Sequence, residues 1–187
     1  MRDTNAGCVE IEETSRVTRN RTQAGVGTPA LHKRRHLRRL KQIFDTSRSP
    51  LFFLTVCMQG RRPLLDNPAV VQVLVQACEE AEAVHGWMVG RYVVMPDHVH
   101  FFAAPSTETA KTLSGFIERW KRWTRRQIRG SGLLSFAWQD EFFDHLMRST
   151  ESYAQKWEYV RFNPVRSGLV AEADDWPHQG EIHSLRW

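Results

Sequence analysis

The sequence predicts an α+β domain in which an antiparallel sheet carries helices on one or both faces. Three observations point there: β-rich runs alternate with amphipathic helical stretches, successive strands are spaced like hairpins with no regular βαβ repeat, and Gly, Pro or Asn punctuates the boundaries. At 187 residues the chain supports one ordinary domain with a core and has room for a tail.

Residues 1–29 are rich in Thr, Glu, Arg, Gly and Asn with few large apolar side chains, so they cannot bury enough surface to offset chain entropy. A poorly ordered tail is expected there, and one domain over residues 30–187. Residues 51–58 are β-formers that stop at Gly60, which predicts a strand. Asn67 as N-cap, Pro68 at the first helical position and Gly86 past the end bracket a helix whose apolar stripe is Val70, Val71, Leu74, Ala77, Cys78 and Ala81. Residues 87–94 and 98–104 read as strand, with Pro96-Asp97 as an interruption that re-aims the histidines after it. After Pro105 a second helix carries Leu113, Phe116, Ile117 and Trp120 at i, i+3, i+4, i+7. Trp120 continues the stripe into the core, whereas Trp123 falls nearer the basic side, placed to stack on an unpaired base. Gly130-Ser131-Gly132 breaks the chain before a short strand over residues 142–147. A third helix should start near Ser149 and run towards Asn163, because Pro164 disfavours its continuation. Its core stripe is Tyr153, Trp157 and Val160, which leaves Tyr159 and Asn163 together on another flank.

Charge is segregated along the chain. The formal net charge is +5, yet residues 30–50 hold seven Lys/Arg (Lys33, Arg34, Arg35, Arg38, Arg39, Lys41, Arg48) against Asp45. Residues 111–129 hold seven more (Lys111, Arg119, Lys121, Arg122, Arg125, Arg126, Arg129) against Glu118, so the remainder is net acidic. Two basic blocks in a chain of pI about 9.4 favour an anionic, phosphate-bearing partner. Cys8, Cys57 and Cys78 lack the spacing of a zinc ribbon or a disulfide framework, which predicts reduced thiols. No apolar run approaches the roughly 20 residues of a membrane span and no signal peptide is visible, so a cytoplasmic protein without membrane partners is expected.

The chemistry concentrates in two stretches. In Met95-Pro96-Asp97-His98-Val99-His100 the histidines alternate along a strand and therefore share a face, a bidentate arrangement suited to a divalent ion. Some sixty residues later Tyr159 and Asn163 offer a phenol and an amide oxygen, with Lys156 one turn before Tyr159 to assist the phenol or hold a phosphate. A free phenol is a poor nucleophile at neutral pH, but a metal-polarised phosphodiester beside it lowers the barrier.

On these residues the chain resembles the single-tyrosine HUH transposases, and within them the REP-associated tyrosine transposases of the IS200-like group. The resemblance is carried by residues 95–100, by Trp138-Gln139 with residues 142–148, by residues 159–166 with Gly168-Leu169-Val170, and by an opening block at residues 52–57 and 60–65. It runs from about Lys33 to the C-terminus. It implies a ferredoxin-like HUH endonuclease fold and a metal-dependent endonuclease or transposase that cuts and rejoins single-stranded DNA, next to hairpins, through a 5′-phosphotyrosine. It implies Tyr159 as nucleophile and His98, His100 and Asn163 as ligands of Mg²⁺ or Mn²⁺. Candidate DNA contacts are Arg61, Arg62, Arg119, Lys121, Arg122, Trp123, Arg125, Arg126, Lys156 and Arg166, in a monomer or homodimer. Asp97 stands where asparagine is more usual in the family, and Asn163 where some relatives have glutamine. Two rival classes are a non-catalytic hairpin-binding module derived from such an enzyme and a His-x-His metal hydrolase, for which the chain shows no further His/Asp series.

Overall fold

Residues 49–185 are described by the computed structural model. The predicted tail, the basic block from Lys33 to Arg48 and Cys8 lie outside the described residues. Five strands, β1 (Phe52–Cys57), β2 (Trp87–Met95), β3 (His98–Pro105), β4 (Phe143–Leu146) and β5 (Gln179–Glu181), form one sheet in the order β4-β1-β3-β2-β5. Every pairing is antiparallel. Helices α1 (Pro68–Glu79) and α2 (Ala81–His85) join β1 to β2, α3 (Leu113–Gly130) joins β3 to β4, and α4 (Thr150–Arg161) and α5 (Asn163–Arg166) follow β4. Because β3 lies between β1 and β2, and β1 between β3 and β4, each helical connection skips one strand. Those are the split crossovers of a ferredoxin-like sheet, to which β5 adds an edge.

Strand alternation sorts the side chains into two cores. Leu54, Val56, Val99, Phe101 and Ala103 face α1 and α3, against Val70, Leu74, Phe116, Ile117 and Trp120. Phe53, Val93, Met95, Phe102 and Ala104 face the other way, against Tyr153 and Val160 of α4 and against Trp176. Burying each Val, Leu, Ile, Phe or Met side chain among them contributes roughly 1.5–3 kcal/mol, and a one-residue slip would exchange the two faces, so the register is tightly fixed. His98 and His100 are in phase with Phe102 and Ala104. They therefore belong to the α4 side of the sheet.

The periodicity expected for α1 and α3 is present: Val70, Val71, Leu74, Ala77, Cys78 and Ala81, and Leu113, Phe116, Ile117 and Trp120, are all buried. Asn67 caps α1 by accepting from the Ala69 amide at 2.9 Å, and Gly86 closes α2 at φ 73°. Pro96-Asp97 separates the two strands as expected, forming the two-residue turn of the β2–β3 hairpin; an irregularity in register falls at Val89–Tyr92. There, Gly90 leaves room for Leu185, which a Cβ would meet at 2.7 Å. Two local expectations differ. First, the single helix between Asn67 and Gly86 is two, broken at Glu80, which ends α1 and begins α2. Second, α4 starts in a capping box between Ser149 and Ser152 but stops at Arg161, and Asn163 opens a separate turn with Pro164 in its first positions. Tyr159 and Asn163 therefore do not share one continuous helix. None of the described helices is long and apolar enough to cross a membrane.

Candidate active site

The antiparallel register places Thr55 opposite His100 and Cys57 opposite His98. His98 follows the hairpin turn directly, so its ring lies at the sheet's end beside that of His100, with centroids 4.5 Å apart and planes at 84°. The two Nε2 atoms converge to 3.0 Å. Two nitrogens bound at right angles to one ion at about 2.1 Å would be roughly 3.0 Å apart, so the pair has the bite of a chelate. Behind them, His98 Nδ1 lies 2.6 Å from Asp97 Oδ1 and His100 Nδ1 lies 2.8 Å from Thr55 Oγ1. An ionised carboxylate can only accept, which puts the hydrogen on His98 Nδ1 and leaves Nε2 bare in the neutral ring. The Thr55 hydroxyl can donate or accept, so it suits His100 in either tautomer.

The surroundings of His100 favour its neutral imidazole. Burial, followed by the positive charges of His98, Lys156, Arg61 and Arg166, holds His100 well below the usual histidine range. Burial alone pushes the Asp97 carboxyl up, but the hydrogen bond and charge of His98 together with Arg61 outweigh it, so Asp97 lies below its ordinary value and is ionised at neutral pH. Its oxygens are directed at Nδ1 and at Arg61, 2.7 Å from Arg61 Nε. Asp97 thus orients a histidine from behind, as carboxylates do for metal-binding imidazoles. No third His, Cys, Asp or Glu among the described residues completes a cluster with the pair. An ion held by the pair would take its further positions from an amide, water or phosphate oxygen.

Tyr159 sits on the exposed flank of α4 with 54% of its surface accessible. The Lys156 ammonium lies 5.6 Å from the Tyr159 ring and 5.0 Å from the Phe53 ring. Phe53 in turn stacks on His100 at 5.3 Å and 24°. The contacts that join α4 to the histidines therefore run through Phe53 and Lys156. Arg166 covers the Tyr159 ring at 4.1 Å and donates both to the Tyr159 carbonyl and to the Asn163 side-chain oxygen. Two groups result: the histidine pair, and a cluster of Tyr159, Asn163, Lys156 and Arg166 in which the amide oxygen already has a donor. Sequence reasoning singles out neither Phe53 nor Thr55 for the site. Both alternate with Cys57 along β1, but only the β1–β3 register brings them to His100.

A transposase family described as IS200-like matches residues 51–161, well over half of the chain. The chain belongs to the IS200-like transposase family. The REP-associated tyrosine transposase of Escherichia coli (strain K12) is 28% identical over 127 residues, which cover 67% of this chain and 73% of that protein. A solved structure described as a REP-associated tyrosine transposase bound to a REP hairpin superposes with a TM-score of 0.58 at 27% identity, covering 70% of this chain and 75% of that one. The sheet order and helix placement are accordingly those of the HUH fold.

Among the described residues, the basic side chains of this IS200-like chain do not form one surface. Arg119, Arg122, Arg125 and Arg126 project from α3, which packs on the face opposite the histidines. Arg119, Arg122 and Arg126 rim a groove whose wall includes Ala77, Val84 and the half-buried Trp123. Trp123 also packs against the first core, which limits the ring area open to a base. Arg122 is paired with Glu118 at 2.5 Å. Lys121 has a different occupation: its ammonium donates to the carbonyls of Gln139, Asp140 and Glu141 at 2.9, 3.2 and 3.0 Å. Burial pulls its pKa down to about 8, against the charges of Asp140 and Glu141. Arg62 donates to the Ser135 carbonyl. On the histidine side, Arg61, Lys156 and Arg166 are the Lys/Arg cations whose charge acts on His100. Replacing Arg122, Arg125 and Arg126 together by Ala should weaken DNA binding and reduce the salt slope by about 2–3, since each lost phosphate contact removes roughly 0.7–0.9 of a released counterion. An unchanged slope in salt-titrated binding would mark this side as a solvated face.

Proposed function

We propose that this chain is a divalent-metal-dependent endonuclease and strand transferase acting on single-stranded DNA next to hairpins. The observation that carries the reading is the convergence of the His98 and His100 Nε2 atoms at 3.0 Å, each ring anchored from behind. An ion held there would polarise the scissile phosphate and offset charge in the transition state. Mg²⁺ and Mn²⁺ both suit the role, imidazole being the better donor for Mn²⁺. Asn163 is the proposed third protein ligand, which requires its amide to leave Arg166. Lys156 and Arg166 flank the Tyr159 ring and supply cations for an incoming phosphate.

In the proposed step, Tyr159 Oη forms a bond to phosphorus as the bond to the 3′-oxygen breaks. The phenol gives up its proton to solvent and the departing oxygen takes one up, giving a free 3′-hydroxyl and a 5′-phosphotyrosine. Because the covalent link retains the phosphodiester's energy, another 3′-hydroxyl can reverse the step and join strands. Hairpin DNA is the proposed partner because the solved relative is described as bound to a REP hairpin. Arg166's hold on both Tyr159 and Asn163 favours a second reading, in which the chain grips a hairpin without cutting it.

One experiment separates the two. Incubated with Mn²⁺ and end-labelled oligonucleotides, the protein should form a covalent adduct on single-stranded or hairpin-flanked DNA and none on full duplex, where stacking holds the backbone away from in-line attack. The label should stay with the protein when it lies 3′ of the cut. Binding without any adduct selects the non-catalytic reading, linkage to a 3′ end overturns the polarity, and equal capture on duplex overturns the strand selectivity.

A further inference from the structure

Arg61 is the one non-glycine residue at positive φ among the described residues, at 53°, directly after Gly60 at 66°. A side chain is costly in the left-handed region, where Gly or Asn is the easier occupant, so a long arginine there calls for a reason beyond the turn. Main-chain bonds already fasten the 58–65 loop to the β2–β3 turn: the Met58 amide donates to the Asp97 carbonyl and the Leu65 amide to the Pro96 carbonyl, both at 2.8 Å. The turn thus has its own anchors, and the guanidinium is directed elsewhere. Its Nε lies 2.7 Å from Asp97 Oδ2 and Nη1 donates to Cys57 Sγ at 3.0 Å. Nη2 is 3.5 Å from His98 Nδ1. That last distance is long, and the 2.6 Å contact to Asp97 Oδ1 takes the imidazole hydrogen. Asp97 is therefore bridged, one oxygen to Arg61 and the other to His98.

We propose that Arg61 is a positioning residue: by fixing the Asp97 carboxylate it holds His98 in the Nδ1–H tautomer, with Nε2 bare and aimed at His100 Nε2. Charge alone groups Arg61 with the DNA-contacting arginines; its directed contacts place it in the scaffold of the histidine pair. The inference rests on the metal reading above for its consequence, but the ring's tautomer and orientation can be read without any ion.

The test uses Arg61→Gly and, should that variant fold poorly, Arg61→Asn, which also tolerates left-handed backbone. Both remove the guanidinium and keep or ease the turn, so the thermal midpoint should stay level or rise. In ¹⁵N NMR of the imidazoles, wild-type His98 should show the Nδ1–H form, and the variants a shift towards the Nε2–H form. Mn²⁺ affinity, followed by electron paramagnetic resonance, should fall about 10–100-fold, as for other partners behind a metal ligand. Asp97→Ala should match that loss, whereas Asp97→Asn, which keeps an acceptor, should recover part of it. A wild-type tautomer and affinity in Arg61→Gly or Arg61→Asn overturns the proposal even where His98→Ala abolishes Mn²⁺ binding and so upholds the metal reading. If the wild type binds no Mn²⁺, the metal reading fails, and the tautomer alone decides whether Arg61 positions the ring.

Discussion

Tyr159→Phe should abolish strand cleavage and covalent capture, a loss on the order of 10⁴-fold or more, while fold and DNA affinity stay close to wild type. The substitution removes one hydroxyl from a ring that is 54% exposed, so its effect on stability should lie within about 0.5 kcal/mol. The chain has three tyrosines, and the structure separates them. Tyr92 packs against the α1–α3 core, and burial raises its pKa. Tyr153 is buried edge-on against Phe102 at 4.7 Å, and burial raises its pKa as well. Neither ring is free to approach a phosphodiester. Tyr159 alone combines exposure with two adjacent cations, Lys156 and Arg166. The check is denaturing gel analysis of adducts on labelled single strands beside thermal unfolding of both proteins. Adducts retained by the Phe variant would move the nucleophile away from Tyr159.

That assignment is visible in sequence because helical periodicity is local. Placing Tyr153, Trp157 and Val160 on one stripe of α4 turns Tyr159 outward, and the structure buries Tyr153 and Val160 while exposing Tyr159. The same holds for α1, for α3 and for the alternation that puts both histidines on one face, since periods of 3.6 and 2 need no knowledge of distant partners. What sequence could not supply was non-local. The basic face of α3 and the histidines look like parts of one DNA track, but crossover topology sends α3 to the other side of the sheet. Lys121 looks like a phosphate contact, and a loop eighteen to twenty residues further on supplies three carbonyls for it. Asn163 looks like a continuation of the Tyr159 helix, yet the chain breaks at Phe162 and Arg166 takes the amide oxygen. Composition marks Arg61 as one more cation near DNA, and only its backbone angle and its distance to Asp97 indicate otherwise.

His98→Ala and His100→Ala should each eliminate cleavage, and excess chelator should do the same to the wild type. Losing either Nε2 would break the proposed two-point chelate, whose atoms are 3.0 Å apart. Because this would remove a proposed direct ligand, Mn²⁺ affinity should fall by more than the roughly 10–100-fold typical of a partner behind one. The two variants should differ in stability. His98 lies at the strand's start beside the turn, whereas His100 stacks on Phe53 and bonds to Thr55 in the sheet interior. Its truncation leaves a gap next to a buried aromatic and should cost about 1–3 kcal/mol. His98→Ala is thus the cleaner test, with calorimetric Mn²⁺ titration beside a cleavage assay and thermal unfolding. DNA affinity should largely survive in both if, as proposed, it rests on phosphate contacts from dispersed cations such as Arg119, Arg125 and Arg126 across the sheet. Cleavage that persists with His98 removed, or in excess chelator, would assign the chemistry to a metal-independent site and leave the histidine pair a structural feature of the hairpin.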